Sequence, residues 1–167
     1  PGSTMKPLTV LAALESGQWD ENSIINTNPG YIRVDRKTLL DHRNYGKIDL
    51  RKLLQKSSQV GTTKLALSMD GAHIRDVFYR AGLGQDTGLG FPGESSGTLP
   101  SYPKWRNLDK AAFSFGHGLA VTPLQLARAY SVIANDGVIQ EINLIKKDLA
   151  GGGGDQVFDS TMVAKLR

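Results

Sequence analysis

Residues 82–106 read GLGQDTGLGFPGESSGTLPSYPKWR, and the glycines and prolines spread through this stretch rule out any long helix or strand there. An ordered loop of this length inside a compact chain is usually functional or wraps a surface. It is expected to be partly ordered by Phe91, Tyr102 and Trp105. The regular elements must therefore be short and lie on either side of it. With 167 residues, 40% of them hydrophobic, the chain has enough apolar material to bury a core around them.

Proline locates the first helix. Pro7 has no N–H and fits only among first-turn positions, so the helix begins near Ser3. Leu8, Leu11, Ala12 and Leu14 then give it an apolar face, and Gly17 stops it. Residues 20–46 carry no helical period, have short alternating pieces such as Tyr31–Val34, and predict a loop with a small hairpin or an extended segment. Asp49 is placed to cap a helix through Leu50, Leu53 and Leu54, and another helix follows from Val60 to about Ser68. Ile74, Val77, Phe78 and Ala81 repeat at helical spacing and close on Gly82. The strongest local signal is VTPLQLARAYSVIANDG, with Thr122 as cap, Pro123 at the first helical position, Gln125 as capping-box partner and Gly137 as stop. Its buried face is predicted to be Leu126, Ala127, Tyr130, Ile133 and Ala134. Phe113, Phe115, Tyr130 and Trp105 are assigned to the core rather than to ligand stacking. A four-glycine run, Gly151–Gly154, predicts a loop or linker before an amphipathic start at Ser160.

Charge and composition exclude several classes. The net charge of +4 is scattered, with short clusters only at Arg33–Lys37 and Lys146–Lys147, so no nucleic-acid surface is predicted. Cysteine is absent, which removes disulfides and thiolate metal sites. His42, His73 and His117 are isolated, with no second His or Cys at i+3 or i+4, and no metal is expected. The GLGQDTGLG glycines lack the Gly-Lys-Ser/Thr ending of a phosphate loop, and no motif calls for a cofactor. The apolar run Leu8–Leu14 is far short of the ~20 residues that span a bilayer. The abrupt start at Pro1 and the stop at Arg167 within a helical pattern read as a fragment of a longer protein.

Two short motifs carry chemistry. In PGSTMKP, Ser3 and Lys6 are three residues apart, so on a helix their side chains share a face. A lysine whose pKa is lowered by burial can take the serine proton, and a helix N-terminus favours negative charge beside Ser3. That is the pattern of a covalent acyl-transfer site, although serine is also an ordinary helix start. In KSSQVG, Ser57 can relay a proton and the Gln59 amide can orient a peptide carbonyl; the plainer reading is that the serines end one helix and cap the next.

The segments PGSTMKP, LLQKSSQVGTTKLA, AGLGQDTGLGFPGE and FSFGHGLAVTPLQLARAYSVIANDG occur in an order and at spacings that resemble the transpeptidase domain of class B penicillin-binding proteins. The resemblance covers almost the whole chain and is nearest to the division-specific penicillin-binding protein 3 branch of Gram-negative bacteria. It implies a serine D,D-transpeptidase that cross-links peptidoglycan stem peptides, needs no cofactor and is acylated by β-lactams. Ser3 would be the nucleophile, Lys6 its general base, and Ser57 the serine of the Ser-x-Asn motif that moves the proton to the leaving amine. Gln59 occupies the asparagine position of that motif. His117, between Gly116 and Gly118 where the family often has an aromatic residue, would line the cleft, with ordinary loop packing as the alternative reading. The resemblance further implies a parent protein anchored in the inner membrane by a segment outside this chain, facing the periplasm, with membrane proteins of the division complex as partners.

Two departures from the family pattern matter. Gln59 keeps an amide but moves it by ~1.5 Å, the length of one added carbon–carbon bond. The third family motif, Lys-Thr-Gly or Lys-Ser-Gly, is absent; Lys37-Thr38 is followed by Leu39. The predicted fold class is therefore mainly α: a partial transpeptidase domain over residues 1–167, the helical part of the α+β fold that penicillin-binding proteins share with serine β-lactamases, with most of its five-stranded sheet missing. On its own such a piece is expected to be inactive or nearly so. The competing readings are a β-lactamase-like hydrolase, for which Glu94 lacks the surroundings of a water-positioning glutamate, and a non-catalytic helical interaction module.

Overall fold

The computed structural model describes residues 1–101, 105–145 and 154–167. They form two compact units, one of residues 1–77 and 100–119, the other of residues 78–99 and 120–167.

The first unit is built around α1 (Lys6–Glu15), which is preceded by a tight 3-10 turn, Gly2–Met5. Every residue of α1 from Leu8 to Leu14 is buried, so this helix presents no solvent face, which differs from the single apolar face predicted. A helix that is apolar on all sides belongs at the centre of a core. Its one interior hydroxyl is satisfied, since Thr9 Oγ1 donates to the Ser114 carbonyl at 2.7 Å. Gly17 follows with φ +70 and its N–H on Leu14 O, ending the helix as predicted.

Strand β1 (Ile25–Asn26) pairs antiparallel with β4 (Lys47–Ile48), and β2 (Tyr31–Val34) with β3 (Lys37–Leu40), in a hairpin that places Tyr31 opposite Leu40 and Val34 opposite Lys37. The turn between β2 and β3 puts Asp35 at φ +51. Helix α2 (Leu50–Lys56) starts where the sequence predicts, with Asp49 Oδ1 accepting from the Lys52 N–H at 2.6 Å. Helix α3 (Gln59–Ser68) follows after two residues and packs on α1, on β3 and on α5 (Asn107–Ser114).

Helix α5 is not anticipated by the sequence reading, although its signal is present. The Arg106 N–H donates to Asp109 Oδ2, three residues on, at 2.8 Å, and Arg106 Nε donates to the same oxygen, so the first-turn aspartate holds the helix start from one side only. Trp105 packs edge-on against Phe113 with ring centroids 4.7 Å apart, and both are buried, as is Phe115.

Helix α4 (Gly71–Arg80) carries the predicted Ile74, Val77 and Phe78 as fully buried residues. In the second unit α6 (Pro123–Ala134) has the predicted capping box, Thr122 Oγ1 accepting from the Gln125 N–H while Gln125 Oε1 accepts from the Thr122 N–H. Its buried residues are Gln125, Ala129, Val132 and Ile133; Ala127, Tyr130 and Ala134 are exposed, which corrects the predicted face and removes Tyr130 from the core. The phase is set by Gln125, whose amide nitrogen donates to the carbonyls of Gln85 and Ser96 and so ties the Gly/Pro-rich loop to the helix. Phe91 is 61% exposed and does not order that loop as expected; the loop's internal tie is Glu94, which accepts from both the backbone N–H and the hydroxyl of Thr87. Tyr102 lies outside the described residues. Strands β5 (Val138–Gln140) and β6 (Gly154–Gln156) pair antiparallel, and α7 (Ser160–Ala164) is capped by Asp159. Of the four-glycine run only Gly154 is described, in β6.

The described residues thus hold three separate two-stranded sheets among seven α-helices, with no five-stranded sheet among them. No described helix is long and apolar enough to cross a membrane.

Candidate active site

Ser3 lies in the 3-10 turn rather than in α1 itself. In a 3-10 helix residues i and i+3 eclipse, so Ser3 sits over Lys6, and the Lys6 N–H donates to Ser3 O. Pro7, second residue of α1, has no N–H to donate, which suits this tight entry. The turn is held from outside as well. The Gly2 N–H donates to Gly116 O at 3.1 Å, and a Cβ on Gly116, whose φ is +81, would collide with the Gly2 backbone. The glycine before His117 therefore permits a close backbone approach at the turn that carries Ser3.

Lys6 is 2% exposed although its side chain ends in a charge. Burial lowers its pKa from the ordinary 10.5 to about 8, against the opposing pull of the Asp41 carboxylate, which favours the ammonium. Its Nζ donates to two oxygens of one residue: Ser57 Oγ at 2.8 Å and the Ser57 carbonyl. A neutral amine has two N–H bonds and one lone pair, so with both N–H groups on Ser57 the lone pair is left for another proton.

Ser57 ends α2 in the left-handed region, φ 52 and ψ 42, a conformation that costs a non-glycine residue about 1 kcal/mol or more. Neighbouring bonds hold it there. Ser58, fully buried, caps α3 by accepting from the Gly61 N–H at 2.9 Å and gives its own proton to Asp41 Oδ2 at 2.7 Å. Asp41 Oδ1 accepts from the Val60 N–H at 3.1 Å. One carboxylate, just past β3, thus clamps the turn that presents Ser57 to Lys6. The plainer reading of the sequence, that Ser57 ends one helix and Ser58 caps the next, is what the structure has, but Asp41 was not singled out, because an aspartate in a loop seventeen residues upstream gives no local sign of this pairing.

Ser3, Lys6, Ser57 and Gln59 line one cavity of about 510 Å³, together with Leu40, Asp41, His42 and Lys56. Four of the five sequence-predicted residues are therefore brought together. His117 is not on that cavity. It lines an adjoining one of about 430 Å³, mostly apolar, with Leu39, Phe113 and Phe115, and Gln59 is common to both. Its ring stands edge-on to Phe115, centroids 5.1 Å apart. His42 is exposed, and the His73 ring is bonded to the Ala12 carbonyl at 2.8 Å; no group of three His, Cys, Asp or Glu is disposed to hold a metal among the described residues.

A serine one turn from a buried lysine, with a second serine on the lysine's nitrogen, is an arrangement that suits serine acyl transfer. The family follows from comparison: the model of the penicillin-binding protein transpeptidase domain matches residues 1–166, and the chain belongs to that family. It is 43% identical over 163 residues to the peptidoglycan D,D-transpeptidase FtsI of Escherichia coli K12, covering 98% of this chain and 27% of that protein. Over 167 residues it is 41% identical to the probable peptidoglycan D,D-transpeptidase PbpC of Pseudomonas aeruginosa, covering 100% of this chain and 29% of that protein. Among solved structures, the transpeptidase domain of Burkholderia pseudomallei penicillin-binding protein 3 superposes with TM-score 0.94 at 35% identity, over 99% of this chain and 50% of that one. The chain thus spans a little over a quarter of the length of these curated relatives and about half of the solved domain, and its fold is the helical part of the transpeptidase fold.

Proposed function

We propose that residues 1–167 supply the nucleophile, base and proton-relay side of a peptidoglycan D,D-transpeptidase of septal wall synthesis. The observation that carries this reading is the bond from the buried Lys6 Nζ to Ser57 Oγ in a cavity that also receives Ser3. Ser3 Oγ attacks the carbonyl between the two terminal D-alanines of a stem peptide while neutral Lys6 takes its proton. The tetrahedral intermediate collapses by breaking the C–N bond, and the proton passes from Lys6 through Ser57 to the departing amine of the last D-alanine. The amine of a second stem peptide then attacks the ester, loses its proton back along the same groups and regenerates Ser3. A β-lactam enters the first half-reaction, and its ring-opened acyl group stays on Ser3. Gln59, at the start of α3, offers its amide to the peptide chain of the donor.

The Lys-Thr/Ser-Gly motif that accompanies such sites is not in this sequence, and removing an oxyanion donor typically costs ~10²–10³ in rate. The 167 residues alone are therefore inactive or nearly so. The whole protein acts at the periplasmic face of the inner membrane among membrane proteins of the division complex.

Intact-protein mass after incubation with benzylpenicillin, followed by peptide mapping, tests the reading. A stable adduct on Ser3 supports it. Rapid turnover of the penicillin without an adduct would favour the hydrolase, and absence of any adduct from the intact protein would leave only a non-catalytic module.

A further inference from the structure

The Ser3 cavity has one acid and more than one base on its wall, and the acid is already engaged. Both Asp41 oxygens are taken, one by the Ser58 hydroxyl and one by the Val60 N–H. Lys6 directs its nitrogen to Ser57. Lys56, in the last turn of α2, is half-buried and lines the same cavity, yet makes no hydrogen bond or ion pair with any described residue. Exposed His42 lies on the wall beside Asp41, also without a partner among the described residues. A lysine at a helix C-terminus is favoured by the helix dipole, which accounts for the sign of its charge. The dipole does not account for a lysine that is half-buried along the wall of this cavity, because a position in bulk water would satisfy the dipole equally.

We propose that Lys56, flanked by His42, is a carboxylate-binding subsite that holds an acidic group on the acyl-donor side of the substrate. This deepens the acyl-enzyme reading above and rests on it for the identity of the donor. The ligand chemistry is a carboxylate next to the reacting carbonyl, carried on a side chain of the acyl part of the donor peptide. A charge-assisted bond from Lys56 orients the donor without touching the reacting atoms, so it acts on binding rather than on the acylation step.

Two penicillins that differ by one carboxylate separate the subsite from the chemistry. Benzylpenicillin and carbenicillin share the nucleus and its ring carboxylate, and carbenicillin adds a carboxylate on the side chain. Equilibrium binding is measured in the intact protein carrying Ser3→Ala, so that no acylation is needed, with and without Lys56→Met, and with Lys56→Arg as the charge-conserving variant. The expected result is that Lys56→Met weakens carbenicillin about tenfold and benzylpenicillin less than about twofold, that Lys56→Arg restores most of the loss, and that the difference shrinks at high salt. Equal weakening of both penicillins would assign the contact to the ring carboxylate, the counterpart of a peptide C-terminus, and overturn the side-chain source. No weakening of either, or no binding of either in the parent Ser3→Ala protein, would overturn the subsite. If the carbenicillin effect is found but the protein with Ser3 intact forms no adduct, the subsite stands and the transpeptidase reading fails.

Discussion

The lowered pKa of Lys6 has a consequence that can be measured directly. At pH 7 a lysine of pKa 10.5 is neutral in ~0.03% of molecules, whereas one at about 8 is neutral in ~9%, a gain of about 300-fold in free base. If that amine is the base for Ser3, the rate of penicillin adduct formation in the intact protein should rise nearly tenfold per pH unit below about 8 and flatten above it. Lys6→Arg keeps the charge but cannot deprotonate in this range, and should lower the rate by ~10²–10⁴ at every pH. The assay is the time course of adduct mass between pH 6 and 10. The same shift predicts a stability change whose sign is fixed: the unfolded chain binds the lysine proton up to pH 10.5 and the folded one only to about 8, so between these values the unfolded state holds more protons and stability rises with pH. The rise, taken as the difference between wild type and Lys6→Met in urea unfolding, should reach about 3 kcal/mol at ~1.4 kcal/mol per pH unit, and the penalty is fully present below pH 8. A rate that is flat from pH 6 to 9, or a Lys6→Arg protein that acylates within tenfold of wild type, would refute the assignment.

The remaining expectations concern the supports of the site. Asp41→Ala strips the Ser58 hydroxyl and the Val60 N–H of their acceptor, and should cost about 1–3 kcal/mol in urea unfolding and slow adduct formation at Ser3; unchanged adduct kinetics would mean that the turn holds Ser57 without the clamp. Gly116→Ala forces a Cβ into the Gly2 backbone and should destabilise far more than Gly17→Ala, which meets open space and bears only the ~1 kcal/mol penalty of its left-handed φ; thermal unfolding of the pair reads the difference. Gln125→Ala removes two donations, to Gln85 and Ser96, from a fully buried amide, and should lower stability by about 2–3 kcal/mol while raising proteolysis in residues 85–97.

Helix ends were the part of this protein most readable from its residues. Pro7, Asp49, Thr122 with Gln125, Gly17 and Gly137 act at helix ends on backbone groups within about one and a half turns of themselves, and each sits where local stereochemistry predicts. The placement of Ser3 and Lys6 on one turn is equally local, being a property of three-residue spacing on a helical turn. Faces were less readable. Leu8–Leu14 looked one-sided and is buried on every side, and α6 turned its Gln125 inward and its Tyr130 out, because both outcomes depend on which elements cover the helix and on where a distant loop offers carbonyls.

The relation of Lys6 to Ser57, fifty-one residues away, was beyond any local rule. Sequence alone determined that a serine and a lysine share one helical entry and that two further serines lie at a helix junction. Only the tertiary structure decided that the lysine is buried, that its nitrogen meets Ser57, and that Asp41 holds that serine in a left-handed turn. The reason is physical: a proton affinity is set by desolvation and by charges brought within a few ångströms, and neither exists until chain segments far apart in sequence are packed together.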